Sequence, residues 1–179
     1  MRIIAGSLGG RKFNSPRTNA THPMGDKVRG ALFNILGDID GLTVLDAFAG
    51  TGAIGFEAVS RGAASVTAIE NDRSAQTTIT ENKKLLGVDE RLKLVAATAG
   101  NWHKTADETQ MFDLVILDPP YQQLQRETLK QLATRVLSDG LLIVSWPLGE
   151  GPMDFDGFTQ IERRSYGDAQ LIFYRRNES

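Results

Sequence analysis

The chain has 179 residues, 41% of them hydrophobic, and a formal net charge of −2, values that fit one globular domain with a sizeable core. It has no cysteine and only two histidines, His22 and His103, which excludes disulfides, cysteine-ligated zinc and a thiol nucleophile and leaves no expected metal site. No apolar run approaches a membrane span and the opening residues lack a signal-peptide core, so no membrane partner is expected and a cytoplasmic location is.

Charge is unevenly placed along the chain. Arg2, Arg11, Lys12, Arg17, Lys27 and Arg29 stand against Asp26 alone in the first 29 residues. That asymmetry predicts a basic arm, residues 1–24, on an acidic body, residues 25–179, within a single domain, with these six side chains as candidate nucleic-acid contacts. Arg2-Ile3-Ile4 and Arg11-Lys12-Phe13 flank a glycine-rich turn and predict a short hairpin. From Asp26, apolar residues at Val28, Ala31, Leu32, Ile35 and Leu36 follow the spacing of one helix face.

A short strand at 43–45 runs into Asp46, then into the small-residue loop Ala47-Phe48-Ala49-Gly50-Thr51-Gly52, then into a helix over 54–60 ended by Gly62. The pattern continues with a strand over 65–70, a helix over 73–86 closed by Gly87, a strand over 92–96, a short polar helix within 101–110, and a buried strand over 112–117. A helix is expected over 123–136, a turn at Asp139-Gly140 and a strand over 141–146. Two last strands, 158–164 and 170–175, flank the hairpin signal Tyr166-Gly167-Asp168. Strands alternating with helices and closed by a hairpin make an α/β fold, a doubly wound Rossmann-like arrangement whose seven-stranded sheet is mostly parallel with an antiparallel C-terminal hairpin.

Such a sheet binds ligands at the carboxyl ends of its strands, and Asp46, Glu70, Thr98 and Asp118 all fall there. Gly50 and Gly52 allow positive φ and close approach of a ligand to the loop. Read literally, residues 50–55 also satisfy the dinucleotide fingerprint, with Glu70 at about the expected 20-residue distance. Asp46 decides against a nicotinamide enzyme, because a carboxylate four residues before the first glycine would repel a pyrophosphate and suits a ligand carrying an ammonium group, such as S-adenosyl-L-methionine. Glu70 can accept from two ribose hydroxyls, with Asn71 beside it, and the loop at Ala97, Thr98 and Ala99 can meet an adenine edge. Ala49 lies in the glycine loop.

Asp118-Pro119-Pro120-Tyr121 solves a different problem. The exocyclic amine of a nucleobase is a poor nucleophile because its lone pair is delocalised into the ring. The Asp118 carboxylate and a carbonyl of the rigid Pro119-Pro120 segment can each accept one of its N–H bonds, which favours a tetrahedral nitrogen with its lone pair aimed at a methyl donor. The prolines fix φ and remove competing N–H donors. Tyr121 offers a face on which an extruded base can stack, worth about 1–3 kcal/mol.

At these motifs the sequence resembles the bacterial family that methylates the exocyclic amine of a guanine in small-subunit rRNA. The opening R-I-I-x-G with G-R-K, the helix D-x-V-R-x-x-L-F-N-x-L at 26–36, L-D-x-F-A-G-T-G-x-x-G, S-R-G-A at 60–63 and F-D-L-V-x-L-D-P-P-Y at 112–121 carry the likeness. The resemblance implies S-adenosylmethionine as cofactor, rRNA or an assembling small ribosomal subunit as partner, and the basic N-terminal arm as an RNA contact; a monomer is expected. The chain departs from the family at His22-Pro23-Met24-Gly25-Asp26, at Gly30, and at Thr98, where the family commonly has R-P-T-x-D, a glutamate, and Asp or Asn. A DNA adenine or cytosine amino-methyltransferase and a non-catalytic ribosome-assembly factor of the same fold are the alternatives.

Overall fold

The computed structural model describes residues 1–16 and 24–178. Helix α1 spans Asp26–Leu36, followed by β1 (Thr43–Asp46), α2 (Ala53–Ser60), β2 (Ser65–Glu70), α3 (Arg73–Leu86), β3 (Leu92–Ala96), α4 (Ala99–Thr105), β4 (Phe112–Leu117), a 3₁₀ turn (Tyr121–Gln123), α5 (Arg126–Ala133), β5 (Val136–Pro147), β6 (Phe158–Tyr166) and β7 (Ala169–Arg176). The strands form one sheet in the order β3-β2-β1-β4-β5-β7-β6. The first five are parallel, and β7 inserts antiparallel between β5 and β6.

Both faces of the sheet are covered, as continuous apolar strands require. Along β4, Leu114 and Ile116 enter the core under α1, α2 and α3, while Val115 and Leu117 enter the core under α4 and α5. Strand periodicity thus divides one apolar run between two cores. Helix α3 is defined at both ends: the Asp72 side chain accepts from the Ala75 N–H, and Gly87 closes it in the left-handed conformation. Among the described residues no helix is long and apolar enough to cross a membrane.

The helix expected over 123–136 is replaced by the 3₁₀ turn and the shorter α5, and β5 begins at Val136. Asp139-Gly140, expected as a turn, lies inside β5, where the register with β4 shifts between Phe112 and Leu114. Asp139 has φ of 60°, and a Cβ on Gly140 would lie 2.8 Å from the Leu137 carbonyl oxygen and 2.9 Å from that of Asp113. The pair therefore makes a bulge that only a glycine permits, not a connection.

The N-terminal hairpin is bridged at Arg2 and Lys12 and packs into the same core as α1 and α2. Ile3 and Phe13 are buried there, and the Phe13 ring meets Phe56 edge-on at 5.2 Å. Glu57, fully buried on α2, accepts from the N–H groups of Ile4 at 2.8 Å and Ala5 at 3.1 Å. The same carboxylate pairs with Arg61 at 2.8 Å and lies 3.8 Å from the Arg29 guanidinium.

Candidate active site

Strand β1 has parallel neighbours on both sides, and the winding reverses there, which opens a crevice beyond its carboxyl end. A pocket of about 1110 Å³ occupies that crevice. Its walls are the loop 47–51, Glu70 to Asp72, residues 97–101 and Asp118 to Gln122. Four loops distant in sequence therefore meet because four parallel strands end side by side.

The glycine loop is tied to the end of β2. Glu70 accepts from the Gly50 N–H at 2.7 Å and from those of Asn71 and Asp72 at 2.8 and 2.7 Å. A carboxylate has roughly four lone-pair directions, so the three bonds leave one for a ligand hydroxyl. Sequence reasoning gave Glu70 wholly to a ribose; the structure first uses it to shape the loop. Gly50 faces the pocket, whereas Gly52 faces inward: at φ of 79°, a Cβ there would lie 2.8 Å from the Phe56 ring. The need for Gly52 comes from packing and turn geometry and not from an approaching ligand. Ala49 lines the pocket, its N–H bonded to the Ile69 carbonyl at 2.9 Å. Gly52 gives α2 no side-chain cap, the Thr51 hydroxyl accepts from the Ala53 N–H at 3.4 Å, and Ala53 and Ile54 border the same space.

Asp46 is placed differently from the expectation. It is fully buried beneath the loop and is absent from the pocket wall, and neither carboxylate oxygen has a full hydrogen-bond partner among the described residues. Burial, then the nearby charges of Asp118 and Glu70, push its pKa up to about 7, against a weak pull from the N–H groups of Gly55 and Phe48. Ionisation of Asp46 thus opposes folding. Because the folded pKa lies above the unfolded one, stability is lost as pH rises from about 4 through 7. Asp46→Asn should be more stable than the parent by a few kcal/mol at pH 8, with the difference vanishing near pH 4. Urea unfolding at the two pH values measures this, and equal midpoints at pH 8 would contradict it.

Asp118 follows β4 and borders the pocket with part of its surface exposed. Its pKa is raised to about 6 by burial, with the Ser145 hydroxyl opposing the rise, so it is mainly a carboxylate at neutral pH yet basic enough to take up a proton. Pro119 is buried and Pro120 exposed. Tyr121 opens the 3₁₀ turn, and its hydroxyl lies 2.7 Å from Ser145 Oγ. Sequence reasoning used only its ring. Ser145 was missed, although it is the one hydroxyl interrupting the apolar run Leu141 to Trp146. Also missed were Tyr166 and Asp168 at the β6–β7 turn and Val28 of α1, which line the pocket together with Met24 and Gly25, noted above as departures from the family.

Asn71, Thr98 and Ala99 line the pocket as expected. Thr98 also serves the fold, since its hydroxyl caps α4 by accepting from the Asn101 N–H at 3.2 Å.

The five basic candidates among the described residues separate into two groups. Arg29 is fully buried, donating to the Arg2 carbonyl at 2.7 Å and to Asp26 at 3.0 Å, which removes it from any surface contact. Arg11 donates to the carbonyls of Leu85 and Leu86, satisfying the carboxyl end of α3. Arg29 is thereby structural, whereas Arg11 has two N–H groups engaged by the fold and its side chain stays exposed. Arg2, Lys12 and Lys27 are exposed, with Arg2 3.5 Å from Asp26. Arg17, together with His22 and Pro23, lies outside the described residues.

A family model described as "Conserved hypothetical protein 95" matches residues 1–175. The Escherichia coli (strain K12) protein "Ribosomal RNA small subunit methyltransferase D" is 37% identical over 134 residues, covering 74% of this chain and 66%, just under two thirds, of that protein. YlbH of Bacillus subtilis (strain 168), provisionally named an rRNA methyltransferase, is 29% identical over 98% of this chain and 99% of its own length. Among solved structures, the Escherichia coli protein yhhF, provisionally named a methyltransferase, superposes with a TM-score of 0.88 at 31% identity, covering 100% of this chain and 99% of that one.

Proposed function

Because the chain belongs to the Conserved hypothetical protein 95 family, that of ribosomal RNA small subunit methyltransferase D, and has the fold of S-adenosylmethionine-dependent methyltransferases, we propose that it methylates the exocyclic 2-amino group of a guanine in small-subunit rRNA. The observation that carries this reading is the meeting, across one pocket, of Asp118-Pro119-Pro120-Tyr121 with the loop held by Glu70.

S-adenosylmethionine supplies a methyl group on a sulfonium sulfur, which keeps the electron pair of the broken S–C bond. The fit of this pocket to it rests on chemistry on the chain: a largely buried carboxylate at Glu70 with one free acceptor direction for a ribose, the N-terminal turn of α2 for a carboxylate, and residues 97–99 for an adenine. Asp46, fully buried beneath the loop, makes no contact with the ligand space.

Asp118 and the Pro119 carbonyl hold the two N–H bonds of the target amine, and Tyr121 stacks on the extruded base. Holding the nitrogen in place turns a bimolecular encounter into an oriented one, and the carboxylate stabilises charge as it develops on nitrogen. After the N–C bond has formed, the surplus proton passes from nitrogen to Asp118. Arg2, Lys12 and Lys27 flank the start of α1, where Met24 and Gly25 form the pocket rim, and supply phosphate contacts at the entrance.

Mapping of methylated nucleosides tests this directly. Small-subunit rRNA from cells lacking the protein should lack one N2-methylguanine that returns on re-expression. An unchanged set of methylated nucleosides would refute the reading.

A further inference from the structure

We propose that Arg126 and Arg163 form a two-guanidinium clamp for the RNA backbone beside the target guanine, on the face of the sheet opposite the N-terminal hairpin; this rests on the function proposed above. Both side chains are exposed, and both are held in place. Arg163 lies on β6 opposite Ile172 of β7, whose side chain enters the core under α4 and α5, and directly opposed residues share a face. Its Nε donates to Gln170 Oε1, on the same face and nearer the carboxyl end of β6. Gln170 is fully buried, and its amide nitrogen donates to the carbonyls of Pro147 at 2.8 Å and Glu150 at 2.9 Å. Arg126 opens α5, its guanidinium 4.8 Å from the centre of the buried Trp146 ring and paired with the Glu150 carboxylate. Trp146 is fixed in turn by its indole N–H, which donates to the Gly151 carbonyl at 2.9 Å. Two arginines from distant elements therefore converge on the turn that follows β5.

A guanidinium held in this way loses its rotamer freedom during folding and not on binding, which is what a preorganised anion contact needs. Arg163 uses Nε on Gln170, and among the described residues its terminal nitrogens have no acceptor and it pairs with no carboxylate. Arg126 uses one terminal nitrogen on Glu150, which leaves donors on the other. A phosphodiester matches such forks through its charged oxygens, whatever base it carries. Position gives the clamp its place on the substrate. Gln125 and Glu127, on either side of Arg126, line the pocket, as do Tyr166 and Asp168 beyond Arg163. Arg2 and Lys12 sit on the hairpin that packs into the other core. The mouth at the carboxyl edge of the sheet thus lies between cations on both faces, and a strand delivering its guanine into the pocket meets one set on each side.

The test is a salt titration of binding to protein-free small-subunit rRNA, with full-length variants. Each lost phosphate contact should lower the slope of log affinity against log salt by about 0.7 to 0.9. Arg126→Gln combined with Arg163→Gln should therefore lower it by about 1.4 to 1.8 and weaken binding at about 0.1 M salt by on the order of tenfold. Arg163→Gln alone should give half that change in slope, and it carries the test if replacing Arg126 uncovers Trp146 and unfolds the chain. Arg175→Gln removes the same charge at the far end of β7, where Arg175 pairs with Asp139, and should leave the slope as it is. Calorimetry should show S-adenosylmethionine binding to Arg163→Gln as to the parent. A slope unaltered in both arginine variants, or lowered as much by Arg175→Gln, overturns the proposal. Weakening seen only on assembled subunits overturns it too, because the arginines would then meet a ribosomal protein. The titration needs no turnover. Parent protein that transfers no methyl group, while its rRNA binding still depends on the two arginines, counts against the proposed function and not against the clamp; normal transfer with an unaltered slope counts the other way.

Discussion

Asp118→Ala should slow methyl transfer by about 10²- to 10³-fold, the scale seen when one preorganised electrostatic partner of a transition state is removed. The cofactor should bind as before, because the loop, Glu70 and α2 are untouched. The effect falls on the chemical step because the carboxylate interacts with the amine most strongly once charge develops on nitrogen. The pH dependence gives the same residue a second signature. With its pKa raised to about 6 by burial, Asp118 is a carboxylate at pH 8 and a neutral acid at pH 5. The single-turnover rate should therefore fall as pH drops through 6, and Asp118→Asn should lose that limb together with most of the rate. Wild-type transfer by Asp118→Ala would reduce D-P-P-Y to a stiff turn.

Glu57→Ala should cost about 3–5 kcal/mol of stability, the range for removing one member of a buried ion pair. Glu57 and Arg29 are both fully buried, and without the carboxylate the guanidinium keeps only Asp26 and backbone carbonyls. The N–H groups of Ile4 and Ala5 lose their acceptor in the same step. The double replacement Glu57→Gln with Arg29→Met should recover much of the loss, since it is dominated by a buried guanidinium left with one carboxylate in place of two. Denaturant midpoints measure both. A loss below about 1 kcal/mol for Glu57→Ala would mean that apolar contacts of Ile3 and Phe13 alone hold the hairpin in place.

The parts of the site that were legible in the sequence are those fixed by local spacing. The glycine loop between strand and helix, Glu70 at the end of β2 and D-P-P-Y at the end of β4 each need only a strand, its end and the residues that follow. What could not be read depends on partners far along the chain. Arg29 counts as a surface charge until Glu57, 28 positions later, is seen buried against it. Arg11 belongs to the last carbonyls of α3, some 75 residues away. Ser145 looks like a lone polar residue in a strand until the register with β4 sets it beside Asp118 and Tyr121. Asp139-Gly140 has the composition of a turn, and only the neighbouring strand shows that it is a bulge. Asp46 was correctly placed at a strand end, but nothing local told whether its side chain would turn outward or lie beneath the loop.

The insertion of β7 between β5 and β6 bears on how the molecule comes into being. One edge of β5 stays open until residues 169–176 have been threaded beside it, and the turn carrying Tyr166 and Asp168 reaches the pocket only when they are. Strands formed early can pair with their predecessors as they are made, but this pairing waits for a strand that follows β6 in the chain. A nascent chain on the ribosome can hold the loop over 47–51 and D-P-P-Y in near-final form while one wall of its pocket is still missing. Substrate capture would then wait for β7, because the pocket has no Tyr166 and Asp168 wall until that strand is in place.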